Sequence, residues 1–135
     1  MEIIKYRFQK HGDWRGQLIA LEENIDISFN IKRVYYMYDT KDGVSRGFHA
    51  HKSLEQVLIC VHGKCEVLLD DGNEKEVVLL DKSYEGLYIG SKMWHEMSNF
   101  SEDAVLMVLA SDLYIEEDYI RDYEDFIKIV KGEVS

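Results

Sequence analysis

Apolar and polar residues alternate with a period of two along most of the chain, in short runs separated by turn residues. That period places successive side chains on opposite faces of a pleated strand. Residues 3–8 read as a first strand, His11-Gly12-Asp13 as a turn, and residues 17–22 as a second strand entered from Arg15. After a polar connection at 24–28, residues 29–38 alternate cleanly and are rich in β-branched and aromatic side chains, which suit a half-buried sheet. A turn at 39–43 leads to Arg46-Gly47-Phe48-His49-Ala50-His51. Residues 56–61 and 65–69 flank His62-Gly63-Lys64 and predict a hairpin; Asp70-Asp71-Gly72-Asn73 predicts the next tight turn. Strands follow at 76–80, 84–89 and 93–99, and the unbroken apolar run 104–110 predicts a strand buried on both faces. From Tyr119 the period changes. Tyr119, Ile120, Tyr123, Phe126, Ile127 and Val130 recur at three- and four-residue steps, which predicts a helix with one apolar face, capped by Ser111 or Asp112.

Many short strands and one terminal helix specify an all-β sandwich or barrel. At 135 residues the length suits a single domain over 1–135 with a substantial core. No apolar run approaches the length of about 18 residues that crosses a bilayer, and the N-terminus alternates in polarity where a signal peptide would be continuously apolar. A cytoplasmic location is expected. The formal charge of −10 repels nucleic-acid backbones and anionic membranes, so neither is an expected partner, whereas an anionic small molecule needs a local gathering of cations. Cys60 and Cys65 are expected as reduced thiols packed in the core.

His49 and His51 carry the chemistry. Two apart on one strand, they share a face, and imidazoles exchange protons near neutral pH or ligate metals. Paired histidines in a strand are also found merely solvated or structurally bonded, so context decides between the readings.

The arrangement Gly43-x5-His49-x-His51-x4-Gln56-x6-Gly63 resembles the first motif of the cupins, with Gln56 at the usual glutamate position. His95-x3-Asn99 resembles the end of their second motif, with Gly90 and Lys92 at its proline and glycine positions. The fold implied is a cupin, a jelly-roll β-barrel. The segments Lys32-Arg33-Val34-Tyr35-Tyr36, Arg46 to Lys52, Leu68 to Gly72, Gly86 to Ile89, Trp94 to Met97, Val108 to Ser111 and Asp118 to Tyr123 resemble a narrower group. These are the dTDP-sugar 3,4-ketoisomerases, which convert dTDP-4-keto-6-deoxyglucose into a 3-keto-6-deoxyhexose. The resemblance implies a metal-independent cupin with no cofactor, forming a homodimer with exchanged N-terminal strands and supplying the route to a 3-amino-3,6-dideoxyhexose of a surface glycan.

Moving a ketone from C4 to C3 removes the C3 proton, passes through an enediol or enediolate, and delivers a proton to C4. His49 and His51 are the expected catalytic pair, one moving the carbon-bound proton and the other serving the oxygens. Tyr36, Tyr38 or another barrel tyrosine is a candidate donor to the enediolate, and Arg15, Arg33, Arg46 and Lys52 are candidate cations for the diphosphate. Gln56 is expected to point inward, bonding the sugar or orienting a histidine. Arg15 and His95 resemble residues of the galacto-forming branch, which implies dTDP-3-keto-6-deoxygalactose as product. Trp94 walls the sugar site or packs in the core. Competing readings are the gluco epimer, a metal-dependent cupin using His49, His51, His95 and Glu55 or Gln56, and a non-catalytic sugar-nucleotide-binding module.

Overall fold

The computed structural model describes residues 1–41 and 43–132, so Asp42 of the expected 39–43 turn lies outside the described residues. Among the described residues twelve strands are formed: β1 (Lys5–Arg7), β2 (His11–Asp13), β3 (Gly16–Leu18), β4 (Arg33–Met37), β5 (Arg46–His51), β6 (Gln56–His62), β7 (Cys65–Asp70), β8 (Lys75–Leu80), β9 (Glu85–Ile89), β10 (Trp94–Ser98), β11 (Val105–Ala110) and β12 (Tyr119–Ile120). One helix, α1 (Tyr123–Val130), follows. Two five-stranded antiparallel sheets, β1-β9-β6-β11-β4 and β12-β5-β10-β7-β8, pack face to face, and β2-β3 stands apart as a two-stranded arm. This is the expected all-β jelly roll with a C-terminal helix.

Alternation builds three apolar layers. Leu58, Cys60, Leu87, Leu106 and Val108 of the first sheet meet Cys65, Val67, Leu69, Val78 and Leu80 of the second between the sheets. Their neighbours Val57, Ile59 and Leu109 point the other way and are covered by Phe8, Ile27 and Phe29. On the outer face of the second sheet, Ala50, Trp94 and Ile120 bury Phe126 of the helix. Strands β6 and β11 are central in their sheet, which is why their sequences are so continuously apolar.

Several expectations change. Strands β6 and β7 lie in different sheets, so His62-Gly63-Lys64 is a crossing between sheets rather than a hairpin turn. Cys60 and Cys65, both free and buried, therefore pack across the inter-sheet layer. The hairpin at Asp70–Asn73 does form: Asp70 Oδ1 accepts from Gly72 N–H at 2.8 Å, and Asp71 Oδ1 from Asn73 and Glu74 N–H at 2.8 and 2.7 Å. His11-Gly12-Asp13 is a strand, and the reversal falls on Trp14 and Arg15. Helix α1 begins at Tyr123, with Asp122 as its cap accepting from Glu124 and Asp125 N–H; neither Ser111 nor Asp112 caps it. Tyr119 and Ile120 instead pair with His51 and Ala50, which satisfies the open edge of β5. Among the described residues no helix is long and apolar enough to cross a membrane.

Candidate active site

The second sheet brings three imidazoles together at one end of the barrel. His49 and His51 point inward from β5, and His95 is the register partner of His49 on β10. Ring centroids lie 5.0 Å apart for His49 and His51, 4.6 Å for His49 and His95, and 6.0 Å for His51 and His95. Tyr119, placed by the β12 pairing, closes the group at 5.0 Å from His49 and 4.4 Å from His51. His51 and His95 are each only 2% exposed, and His49 is half-buried.

A bulge in β5 shapes the entrance. His95 pairs with His49 but Glu96 pairs with Gly47, so Phe48 is the extra residue, at φ 61°, beside Gly47 at φ 94°. Strict alternation would put Arg46 on the face opposite His49. The bulge reverses this and sets Arg46 across from Met97, on the wall of a 400 Å³ cavity with Arg33, Tyr35, His49, Tyr119 and Arg121. A second cavity of 320 Å³ is lined by Arg33, His51, Lys52, Ser53, Ser111, Asp118 and Tyr119. Arg33 and Tyr119 form the wall common to both.

Burial decides the electrostatics. Desolvation, with the neighbouring imidazoles and Arg33 adding to it, holds the His51 pKa down at about 3; desolvation and then His49 hold His95 at about 3. His49 is also lowered, chiefly by desolvation. All three rings are therefore neutral at pH 7 and able to accept a proton. Arg33 Nε and Nη2, His49 Nδ1, both nitrogens of His51 and Gln56 Oε1 are buried with no hydrogen-bond partner among the described residues. Buried polar atoms are ordinarily satisfied, so a convergent set of unpaired ones marks a place prepared for a polar ligand.

The three histidines offer nitrogens within 4.8 Å of one another, an arrangement that suits a divalent transition metal. Gln56 supplies no carboxylate to complete such a set. It is buried on β6, as expected, and its Nε2 donates to Tyr35 Oη at 2.9 Å.

Of the residues expected from sequence, His49, His51, His95, Arg33, Arg46, Lys52 and Gln56 assemble around this chamber or its rim. Tyr36 and Tyr38 do not. They are 62% and 61% exposed, because Arg33, Tyr35 and Met37 take the inward face of β4 and residues 34, 36 and 38 the outward one. Arg15 also stands outside, at the exposed tip of the arm, where its guanidinium bonds Asp13 at 2.6 Å. Trp94 is a core residue on the face of β10 opposite His95, against Tyr123 and Phe126. The structure adds Tyr35, Asp118, Tyr119 and Arg121. Arg121 lies 4.3 Å over the Tyr119 ring and pairs with Glu116 at 2.8 Å, which pulls the Glu116 carboxyl down to about 2. Parity with Arg33 was the available signal for Tyr35. Tyr119 and Arg121 fall in the Asp118-to-Tyr123 segment that resembles the ketoisomerases, but spacing alone assigns Tyr119 to the helix and gives Arg121 no role.

Residues 1–131 match the family described as FdtA, WxcM-like, C-terminal. The chain is 56% identical over 130 residues to TDP-4-oxo-6-deoxy-alpha-D-glucose-3,4-oxoisomerase of Aneurinibacillus thermoaerophilus, covering 96% of this chain and 94% of that one. It superposes on a 3,4-ketoisomerase from Helicobacter canadensis with a TM-score of 0.94 at 51% identity, over 97% of this chain and 98% of the other. It superposes equally, at 0.94 and 42% identity over 96% and 94% of the two chains, on a His-to-Asn mutant of QdtA from Thermoanaerobacterium thermosaccharolyticum. That protein, a 3,4-ketoisomerase, was crystallised with TDP-4-keto-6-deoxyglucose. A match over nearly the whole length, joined to the same fold, shows that the chain belongs to the FdtA family, WxcM-like, C-terminal.

Proposed function

We propose that this protein is a sugar-nucleotide isomerase that moves the ketone of TDP-4-keto-6-deoxyglucose from C4 to C3, without a metal, through His49 and His51. The observation that carries the reading is the convergence of two neutral imidazoles, 5.0 Å apart, with the half-buried Arg33, whose buried Nε and Nη2 have no partner among the described residues. Relatives of 56% and 51% identity that bear oxoisomerase and ketoisomerase names support it.

The C3 hydrogen is acidified by the adjacent carbonyl, and a neutral imidazole takes it. Electrons from the C–H bond flow to the C4 oxygen and form an enediolate, which the rim cations stabilise in a water-poor site. The second imidazole moves the oxygen-bound proton from O3 to O4. Return of the carbon-bound proton to C4 leaves the ketone at C3. Arg33, with Arg46 and Lys52 at the rim, suits the diphosphate, since guanidinium forks match its oxygens.

We assign the galacto product. Protonation at C4 from one face sets that epimer, and His95 and Arg15 are the residues proposed to direct it. Arg15 lies away from the chamber of its own chain, so its role requires a second copy. Trp14 at 93%, Leu18 at 60% and Ile25 at 75% exposure leave the N-terminal arm without cover, and Val34, Tyr36 and Tyr38 leave an exposed apolar stripe on β4. These support a homodimer that exchanges its N-terminal strands and carries Arg15 into the partner's site.

Incubating chelator-treated protein with TDP-4-keto-6-deoxyglucose and following the sugar by NMR tests the reading. A 3-keto product is expected, with the small H4–H5 coupling of the galacto epimer. A large coupling refutes the stereochemical assignment, binding without turnover refutes the isomerase, and activity only after metal is restored refutes the metal-free mechanism. Light scattering at twice the chain mass is expected for the dimer.

A further inference from the structure

Gln56 opens β6 and is only 1% exposed, although its amide carries two N–H donors and an acceptor. Burying such a group is costly unless its bonds are made, and methionine would fill a similar volume without that cost. The register explains where the amide reaches. Gln56 is the partner of Ala110 on β11, and Ala110 is the partner of Arg33 on β4. The small alanine keeps the row open between two long side chains. Across it, Gln56 Nε2 donates to Tyr35 Oη at 2.9 Å, while Oε1 has no partner among the described residues.

Tyr35 lines the 400 Å³ cavity with Arg46 and His49, and the Arg33 guanidinium stands 5.2 Å from the centre of its ring. Burial raises the phenol above its ordinary pKa, so it keeps its hydrogen at neutral pH. A phenol both accepts and donates. Because Oη accepts from Gln56, its own hydrogen is not spent on the amide, and among the described residues no other group takes it.

We propose that Gln56 is a positioning residue for Tyr35: by donating to Oη it fixes the phenol and leaves its O–H free to donate to the sugar bound in the chamber. This rests on the isomerase reading above and adds a part to it. The identity of residue 56 matters as much as its burial. An ionised carboxylate accepts hydrogen bonds and donates none, so a glutamate there draws the phenolic hydrogen to itself and away from the sugar.

Gln56→Glu, close to the native side chain in shape, is the test, assayed at pH 8 with chelator present. The expected result is a fall in kcat of about 30- to 100-fold, with TDP affinity unchanged within about threefold. Tyr35→Phe is expected to lose about 100-fold, and adding Gln56→Glu to it is expected to cost no more than about a further threefold, since the amide acts through the phenol. A Gln56→Glu variant within about threefold of native kcat overturns the proposal, as does a double variant in which the two losses multiply. Carbon-13 spectra of tyrosine labelled at Cζ, with the Tyr35 signal identified by its loss in Tyr35→Phe, are expected to shift in Gln56→Glu as the phenol turns from acceptor to donor. An unmoved signal also overturns it. If Gln56→Glu fails to fold, Gln56→Met carries the same kinetic cycle, with an expected loss of about 10-fold that vanishes in the Tyr35→Phe background. Absence of native turnover on the keto sugar refutes the isomerase reading, and the Cζ signal then decides the Gln56–Tyr35 bond by itself.

Discussion

Replacing Gly47 with alanine probes whether the bulge in β5 positions the chamber. Gly47 sits at φ +94°, where an L-residue is destabilised by about 1–2 kcal/mol. An added Cβ meets His95 O at 3.0 Å, Met97 Cε at 3.2 Å and Glu96 Cα at 3.4 Å. Met97 can yield, but the other two atoms are backbone of β10, and moving them shifts His95 against its register partner His49. Overpacking of that kind costs about 1–3 kcal/mol, so the total expected loss is about 2–5 kcal/mol. Displacing His49 and Arg46 also reduces turnover, by about 10- to 100-fold, since misplacement by a fraction of an ångström to 1 Å is felt at the reacting atoms. Gly43→Ala is the control, because Gly43 shares a positive φ of 74° yet has no atom within 4 Å of an added Cβ. Urea midpoints and kcat of the two variants separate backbone conformation from contact. If Gly47→Ala matches Gly43→Ala in both, the bulge does not position the site.

Tyr35→Phe leaves the buried Gln56 Nε2 without its acceptor and is expected to lower stability by about 1–3 kcal/mol in urea unfolding; an unchanged midpoint contradicts the bond. Phe126→Ala removes a fully buried ring between Trp94 and Ile120 and is expected to cost about 3–5 kcal/mol and expose the C-terminal helix to proteolysis. With His51 and His95 held at about 3 in the folded chain against 6.5 when unfolded, the unfolded state takes up protons first as pH falls. Stability is therefore complete above pH 6.5 and declines below it, by up to about 1.4 kcal/mol per pH unit for each ring. Urea midpoints between pH 7.5 and 5 measure this, and a native slope no steeper than that of His51→Asn argues against it.

Alternation with a period of two is legible in the sequence, whereas the three- and four-residue spacing of Tyr119 and Ile120 belongs to a strand and not to the helix. His49 and His51 share a face because they are two apart, and the apolar run of β11 predicted burial on both sides because a central strand has no solvent face. Parity, applied more strictly, would also have chosen Tyr35 over Tyr36 and Tyr38, since a strand that turns Arg33 inward turns residue 35 inward with it. Trp94 and His95 are adjacent and both buried; their opposite destinations became visible only when α1 covered one face of β10 and the first sheet the other.

Local pattern determined the strands, the paired histidines, the inward Gln56 and the amphipathic helix, because each depends on residues close in the chain. Tertiary structure alone decided that Tyr119 leaves the helix to pair with His51, that Asp118 reaches that ring, and that a bulge at Phe48 turns Arg46 toward the cavity. Those choices depend on satisfying the backbone groups of an open sheet edge and on register between strands some fifty to seventy residues apart. Such partners carry no mark of one another in the sequence between them.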